Sequence, residues 1–386
     1  MEKVYYSCGL HMHQPPGNLK LLIETNEWEA QQIIRCYERA ARYAHKYKKV
    51  ATLCVGFSGI LLEQFEDKEV IEKYKKFVDI PAMIEMYRKA KNIEIIGMGY
   101  YHPIFPLIPK EDWEEQLKLG REMVERVFGQ KPKGFWPSEM AFCMEMIPAL
   151  KKAGYEYVVV DHVHLRPHSS EGKPDVFIPY RATYNGSQIT VVPRNRDISN
   201  AQESGMDPGW FSNEVNHKIK ENLSKEKARL VVTWSDGENG GWFRQMDENS
   251  GFFGHFFAPF MERVERKEVN IRPIKISDYL KKYPPTKEAT VNTGAWNVGS
   301  TSGYDFSQWN GSPSQREAIA NLFEVSRRYW EVRRKRKGKL TREKRERIKQ
   351  ARKLILEAET SCYLFWGDAW IPKIYQKLNQ ARELLK

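Results

Sequence analysis

Three short segments of this 386-residue chain put acidic, basic and aromatic side chains where a ligand could meet them. The first is His11-Met12-His13-Gln14-Pro15-Pro16, which follows an apolar run. Residues two apart on a strand share a face, so His11 and His13 can converge on one ligand while Gln14 and the prolines fix the exit. His-x-His is also a metal spacing, and at this point a metal site, substrate hydrogen bonding and a structural role all stay open. The second is Gly134-Phe135-Trp136-Pro137-Ser138-Glu139, with Glu139 just ahead of a helical pattern, where a helix N-terminus keeps a carboxylate ionised and fit to act as a nucleophile. In the third, a β-rich run ends at Trp234 and turns through Ser235-Asp236-Gly237-Glu238-Asn239 beside Trp242. Apolar walls raise a carboxyl group's pKa, as a general acid at neutral pH requires. One carboxylate held charged and one pushed towards its neutral form meet the chemical requirement of glycoside hydrolysis.

The elements that must position these residues alternate. β-rich runs over Val4–Leu10, Val50–Val55, Ile93–Met98, Gly134–Trp136, Tyr155–Val160, Gln188–Val192 and Arg229–Trp234 are separated by helical patterns at Glu27–Tyr47, Lys68–Lys91, Lys110–Phe128 and Met144–Ala153. Such alternation signals βα units and a parallel sheet or barrel. The polar candidates fall at strand ends, as in a barrel active site: His11 and His13, then His102, Glu139, Asp161 and Asp236. After about Tyr283 the pattern changes to three helical stretches, Ser312–Lys335, Thr341–Glu359 and Pro372–Leu385. Two parts are therefore expected, a barrel over 1–283 and a helical region over 284–386 packed on it and completing the active site.

With 41% apolar and 29% charged residues, fibrous and disordered classes are poorly supported. The net charge of +12 is local: Ser326–Lys353 holds 15 Lys and Arg against 3 Asp and Glu, and the remaining 47 of each sign balance. A solvated helix hairpin is expected there, with no nucleic-acid partner, because the segment lacks the interleaved aromatics of a base-stacking surface. Five scattered cysteines without a CxxC pair argue for reduced thiols and a cytoplasmic setting. No run is apolar enough to cross a bilayer, and the first residues lack a signal-peptide pattern, so a soluble chain that is not exported is expected. The 11 tryptophans are unusually many, and flat rings near Gly, Asp or Ser (Trp136, Trp210, Trp242, Trp296, Trp309 and Trp366) suit the apolar faces of sugars.

These residues carry a resemblance to glycoside hydrolase family 57. His11-Met12-His13-Gln14-Pro15 matches that family's opening motif, and Gly99-Tyr100-Tyr101-His102-Pro103 resembles the second. Gly134 to Glu139 resembles the third, Ser235 to Asn239 the fourth, and Ala358 to Asp368 the fifth. The fifth differs in one respect: many members have Ser-Asp-Trp where this chain has Ser361-Cys362-Tyr363, so a carboxylate and an indole are missing there. The resemblance implies an α/β fold, an incomplete (β/α)7 TIM-like barrel followed by a C-terminal helical region. It implies Glu139 as nucleophile and Asp236 as acid/base, with His11, His13 and His102 bonding sugar hydroxyls or positioning the nucleophile and no metal or other cofactor needed.

The expectation is a retaining α-glycoside hydrolase or glucanotransferase of the α-amylase or 4-α-glucanotransferase type, acting on α-1,4-glucan or oligosaccharide. Gln14, Trp136, Asp161, Arg194, Glu238, Trp242, Trp296 and Trp366 join the histidines as expected substrate contacts. Two other readings are a metal-dependent polysaccharide deacetylase-like enzyme, with His11, His13 and an Asp on a divalent cation, and a carbohydrate-binding protein on the same fold without turnover.

Overall fold

A computed structural model describes residues 3–168, 174–222, 226–238, 240–296, 306–335 and 341–386, with only the backbone described at Lys335. Asn239 and the Gly338 break in the basic segment lie outside the described residues.

The strand β1 (Lys3–Met12) organises the barrel. From Lys3↔Ala228 to His11↔Asp236 it pairs in parallel with β9 (Ala228–Asp236). Its other edge is shared: Val4–Tyr6 pair with β10 (Ile271–Pro273), and Gly9–Met12 pair with β2 (Leu53–Phe57). β2 pairs with β3 (Ile93–Ile96), and a Gly97↔Phe135 bridge leads into β4 (Gly134–Phe135). From there β4, β5 (Tyr157–Asp161) and β8 (Ser187–Arg194) run in parallel. The N–H of Asn195 donates to the carbonyl of Val232 at 2.8 Å, joining the end of β8 to β9. Seven parallel strands thus go round a TIM-like barrel, and they are the seven anticipated from the β-rich runs.

Alternation along β1 sorts its side chains. Val4, Tyr6, Cys8, Leu10 and Met12 pack outward into the core shared with the helices, whereas Tyr5 packs with the barrel interior. That parity sends His11 inward as well. Gly9 makes room for what fills the barrel: a Cβ there would sit 2.0 Å from the Trp234 indole.

Four short strands were not anticipated: β6 (Leu165–Pro167), β7 (Tyr180–Tyr184), β10 and β11 (Ala289–Val291). β7 is an antiparallel partner of β8, and β11 of β6. The expected helix Lys68–Lys91 is two helices, Lys68–Tyr74 and Ile80–Lys89; Asp79 caps the second and Pro81 lies in its first turn, where proline's missing N–H costs nothing. The helices Pro313–Lys335, Arg342–Ala358 and Ile371–Leu384 share one buried cluster with Phe135, Tyr155 and Val158 of the barrel wall. No helix among the described residues is long and apolar enough to cross a membrane.

Candidate active site

β1 and β9 end side by side, in register at His11↔Asp236. The His11 ring, 2% exposed, is closed against the carboxylate, with Nε2 2.6 Å from Asp236 Oδ1. Burial alone would lower the His11 pKa, but the charge and hydrogen bond of Asp236, helped by Glu238 and Glu139, raise it above the ordinary imidazole value. Asp236 remains 32% exposed, open to a ligand.

Glu139 was expected at a helix N-terminus that keeps it ionised. It lies instead in the single 3-10 turn Ser138–Met140, in the left-handed region at φ 56°. Non-glycine residues are seldom held there except where function uses the strain. Burial, then the charge of Asp236, pushes its pKa up to about 7, against the opposing influence of His11 and a hydrogen bond from Trp296. That bond runs from indole Nε1 to Oε2 at 2.8 Å, and the Trp296 N–H donates to the Glu139 carbonyl at 2.9 Å. The other carboxylate oxygen, Oε1, lies 3.9 Å from His102 Nδ1.

The histidines form a stack. His13 and His102 rings lie 4.0 Å apart at 9°, and His11 lies 3.9 Å from the buried Trp136 indole at 18°. His13 Nδ1 is 2.8 Å from Ser58 Oγ, and His102 Nδ1 is 2.8 Å from Ser361 Oγ. Burial and the neighbouring histidines lower the pKa of His13 to about 3 and that of His102 well below the usual value, so both rings are neutral. His11 Nδ1, His13 Nε2, His102 Nε2 and Glu238 Oε2 are buried without a hydrogen-bond partner. Buried polar atoms are normally paired, so these four atoms are available to a polar ligand such as a sugar hydroxyl.

Glu238 is fully buried, and its Oε1 accepts the His13 backbone N–H at 2.8 Å. Burial and Asp236 raise its pKa to about 8, against His11, that N–H and Arg244. Gln14 is tied back by Asn18 at 2.6 Å. Asp161 and Arg194 form a fully buried pair at 3.3 Å that Arg196 joins at 3.0 Å. Arg194 also donates to the Trp234 carbonyl and stands over the Trp296 ring, 5.3 Å from its centroid. This pair braces the site from below, where the sequence suggested pocket lining. Trp136 likewise sits behind His11 and not at an open face, Trp242 is half-buried, and Trp366 is 58% exposed. Among the described residues no group of three or more His, Cys, Asp or Glu is arranged to hold a metal ion.

Sequence reasoning passed over Ser58 and quoted Ser361 only within a motif. Nothing marks a serine that bonds a histidine from a distant element; a hydroxyl just past the strand Leu53–Phe57 was the one available signal. Beside Ser361, Cys362 has its thiol pKa pushed up by burial and by Glu139, Asp236 and Glu238, which places it at the same pocket.

Comparison with known proteins agrees with this arrangement. The model of "Glycosyl hydrolase family 57" matches residues 7–292. An α-amylase of Pyrococcus abyssi (strain GE5 / Orsay) is 28% identical over 288 residues, 74% of this chain and 40% of the relative. A 4-α-glucanotransferase of Thermococcus litoralis is 27% identical over 291 residues, with the same two coverages, 74% and 40%. The chain therefore spans about 40% of the length of the curated relatives it matches. In fold, the solved 4-α-glucanotransferase of T. litoralis superposes with a TM-score of 0.75 at 22% identity, covering 100% of this chain and 60% of that one. A GH57-type branching enzyme from Pyrococcus horikoshii gives 0.75 at 19% identity, covering 100% and 88%.

Proposed function

This chain belongs to glycosyl hydrolase family 57, and from that premise we propose that it is a retaining α-glycosidase or glucanotransferase acting on α-1,4-glucan or oligosaccharide. In this reading the barrel over 1–283 supplies the catalytic pair and the region 284–386 completes the pocket. Glu139 attacks the anomeric carbon while the His11–Asp236 pair delivers a proton to the leaving oxygen; the C–O bond to the leaving group breaks as the glycosyl–Glu139 ester forms. Asp236 then takes a proton from water or from an acceptor hydroxyl, which opens the ester. The unpartnered nitrogens of His11, His13 and His102 and the Glu238 carboxyl hold sugar hydroxyls, and Trp242 and Trp366 offer apolar faces to neighbouring rings.

The observation that supports this most directly is that Asp236 and Glu139 meet around one imidazole: Asp236 Oδ1 lies 2.6 Å from His11 Nε2, and Trp296, whose indole bonds Glu139, lies 5.2 Å ring to ring from His11. Asp236 raises the pKa of Glu139, and both charges act on the one imidazole, His11. Two carboxyls that interact this strongly titrate as a pair. Glu139 keeps its proton below about pH 7, so kcat/KM should fall as pH drops through that value.

The test is incubation with maltooligosaccharides and other α-glycosides, with products analysed for both shortened and lengthened chains. Asp236→Asn should lose about 10²- to 10⁴-fold in kcat, and Glu139→Gln should no longer trap a glycosyl group that the parent chain does trap. Undiminished turnover in both variants would end the assignment. Lengthened products would mark a transferase, shortened ones alone a hydrolase.

A further inference from the structure

The Nδ1 nitrogen of the His102 ring has two polar neighbours from separate parts of the chain. Ser361 Oγ stands at 2.8 Å, within hydrogen-bond distance, and Glu139 Oε1 at 3.9 Å, beyond it. The loop that carries His102 is clasped by the same C-terminal segment: the Ser361 N–H donates to the His102 carbonyl at 3.0 Å, and Pro103 and Thr360 form a β-bridge. His102 sits at φ 59°, a left-handed conformation that its surroundings must impose.

We propose that Ser361 is a positioning residue for the reaction: its hydroxyl engages Nδ1 of His102, keeps the imidazole off the Glu139 carboxylate, and leaves Nε2 as the nitrogen offered to the substrate. A neutral imidazole has one N–H and one lone pair, and a serine hydroxyl can answer either. With the hydroxyl removed, Nδ1 is left buried and unsatisfied, with Glu139 Oε1 only 3.9 Å away. An N–H from His102 to that oxygen would stabilise the carboxylate and blunt it as a nucleophile. Nε2, buried and unpartnered, would turn away from the ligand at the same time.

The inference rests on the glycosidase reading. The groups facing this pair are Asp236, His11, Trp296 and the Cys362 thiol around Glu139, and His11 and His13 around His102; of these only Cys362, whose thiol also meets the Ser361 hydroxyl, is touched by the test. Ser361→Ala keeps the backbone clasp, since the N–H to the His102 carbonyl and the Pro103–Thr360 bridge do not need the hydroxyl. The expected result is a kcat/KM about 10- to 100-fold lower, with the acid limb of its pH profile moved down by about one unit, the worth of one hydrogen bond to a carboxylate. Ser361→Thr, which restores the hydroxyl, should return both. A merely structural serine would lower the amount of folded enzyme and leave the limb in place. In the unmutated chain, ¹⁵N NMR of labelled histidines should show His102 locked in one neutral tautomer, and Ser361→Ala should release it. An unmoved limb in Ser361→Ala, or His102 nitrogens averaged between tautomers in the parent, overturns the proposal. Absence of any glycosyl group trapped on Glu139 in the parent would overturn the catalytic reading instead, while the tautomer measurement would still judge the hydrogen bond.

Discussion

Glu238 is a carboxyl held in the pocket at a cost to the fold. It is fully buried, one oxygen takes the His13 N–H, and the other has no hydrogen-bond partner. Burial and the charge of Asp236 hold its pKa near 8. An unfolded glutamate releases its proton near pH 4.3, so between that value and about 8 the native state binds a proton that the unfolded chain does not. The stability contributed by this raised pKa is present in full below the unfolded value and is lost as pH rises through the folded one. Glu238→Gln removes the titration while keeping the size of the side chain. The variant should therefore gain on the parent as pH rises, by about 2 to 4 °C in Tm between pH 5 and pH 9. Thermal melts across that range check it, and a Tm difference that stays flat with pH would contradict the buried-proton account. The placement of His11, His13, Glu139 and Asp236 at strand ends was legible from sequence, because a β-rich run followed by a turn marks the rim of a barrel; the roles expected of them came from the family resemblance. The protonation of Glu139 was not legible. It depends on burial and on Asp236, which stands on a strand nearly a hundred residues away, and neither is visible in the local pattern that suggested a helix N-terminus.

At the scale of elements, the loop that carries His102 is held by the helix Lys110–Phe128. The Tyr100 N–H donates to the Gln116 carbonyl at 3.1 Å, and the Tyr101 N–H to the Gln116 side chain at 3.0 Å. The helix comes this close because residue 120 is glycine: a Cβ there would lie 2.1 Å from the Met98 carbonyl oxygen, and backbone cannot yield as a flexible side chain can. Glycine in mid-helix costs about 1 kcal/mol in propensity relative to alanine. The close approach must outweigh that, so Gly120→Ala should destabilise despite its better propensity, by about 1 to 3 kcal/mol. Because the displaced loop holds His102, KM for an oligosaccharide should rise as well. A variant as stable and as active as the parent would show that the contact does not hold the loop. The extents of this helix and of Glu27–Lys46 were plain from the periodicity of their apolar residues, as were the seven barrel strands from β-branched and apolar runs. β6, β10 and β11 were not, because three residues such as Leu165-Arg166-Pro167 carry no period, and their partner strand alone makes them strands. The break between Tyr74 and Ile80 was missed because the apolar spacing continues across it.

Over the whole molecule, the basic segment has a use that its net charge conceals. One of its arginines, Arg352, points inward, 2.7 Å from the fully buried Asp112 in ion-pair contact without hydrogen-bond alignment, and 2.6 Å from Glu115. Asp112 also accepts from Ser326 Oγ at 2.6 Å and from the Trp330 indole at 2.8 Å. Next to it, Glu359 is buried with its pKa pushed well up, chiefly by burial and the nearby Asp112, and takes a bond from Gln116 at 2.6 Å. This cluster pins the helices Pro313–Lys335 and Arg342–Ala358 to the helix that grips the His102 loop, and it lies directly before Thr360 and Ser361. Arg352 would keep Glu115, but removing Asp112 leaves the Ser326 hydroxyl and the Trp330 indole without their acceptor, at about 1 to 3 kcal/mol for each buried group left unsatisfied. Asp112→Ala should therefore loosen the C-terminal helices before the barrel unfolds. Hydrogen exchange should show lost protection confined to 313–384 at a temperature where the strands of the barrel are still protected, and turnover should fall at that same temperature because the clasp on His102 goes with them. If protection is lost at once from strands and helices, or activity outlasts the helices, the C-terminal region does not act on the pocket through this cluster.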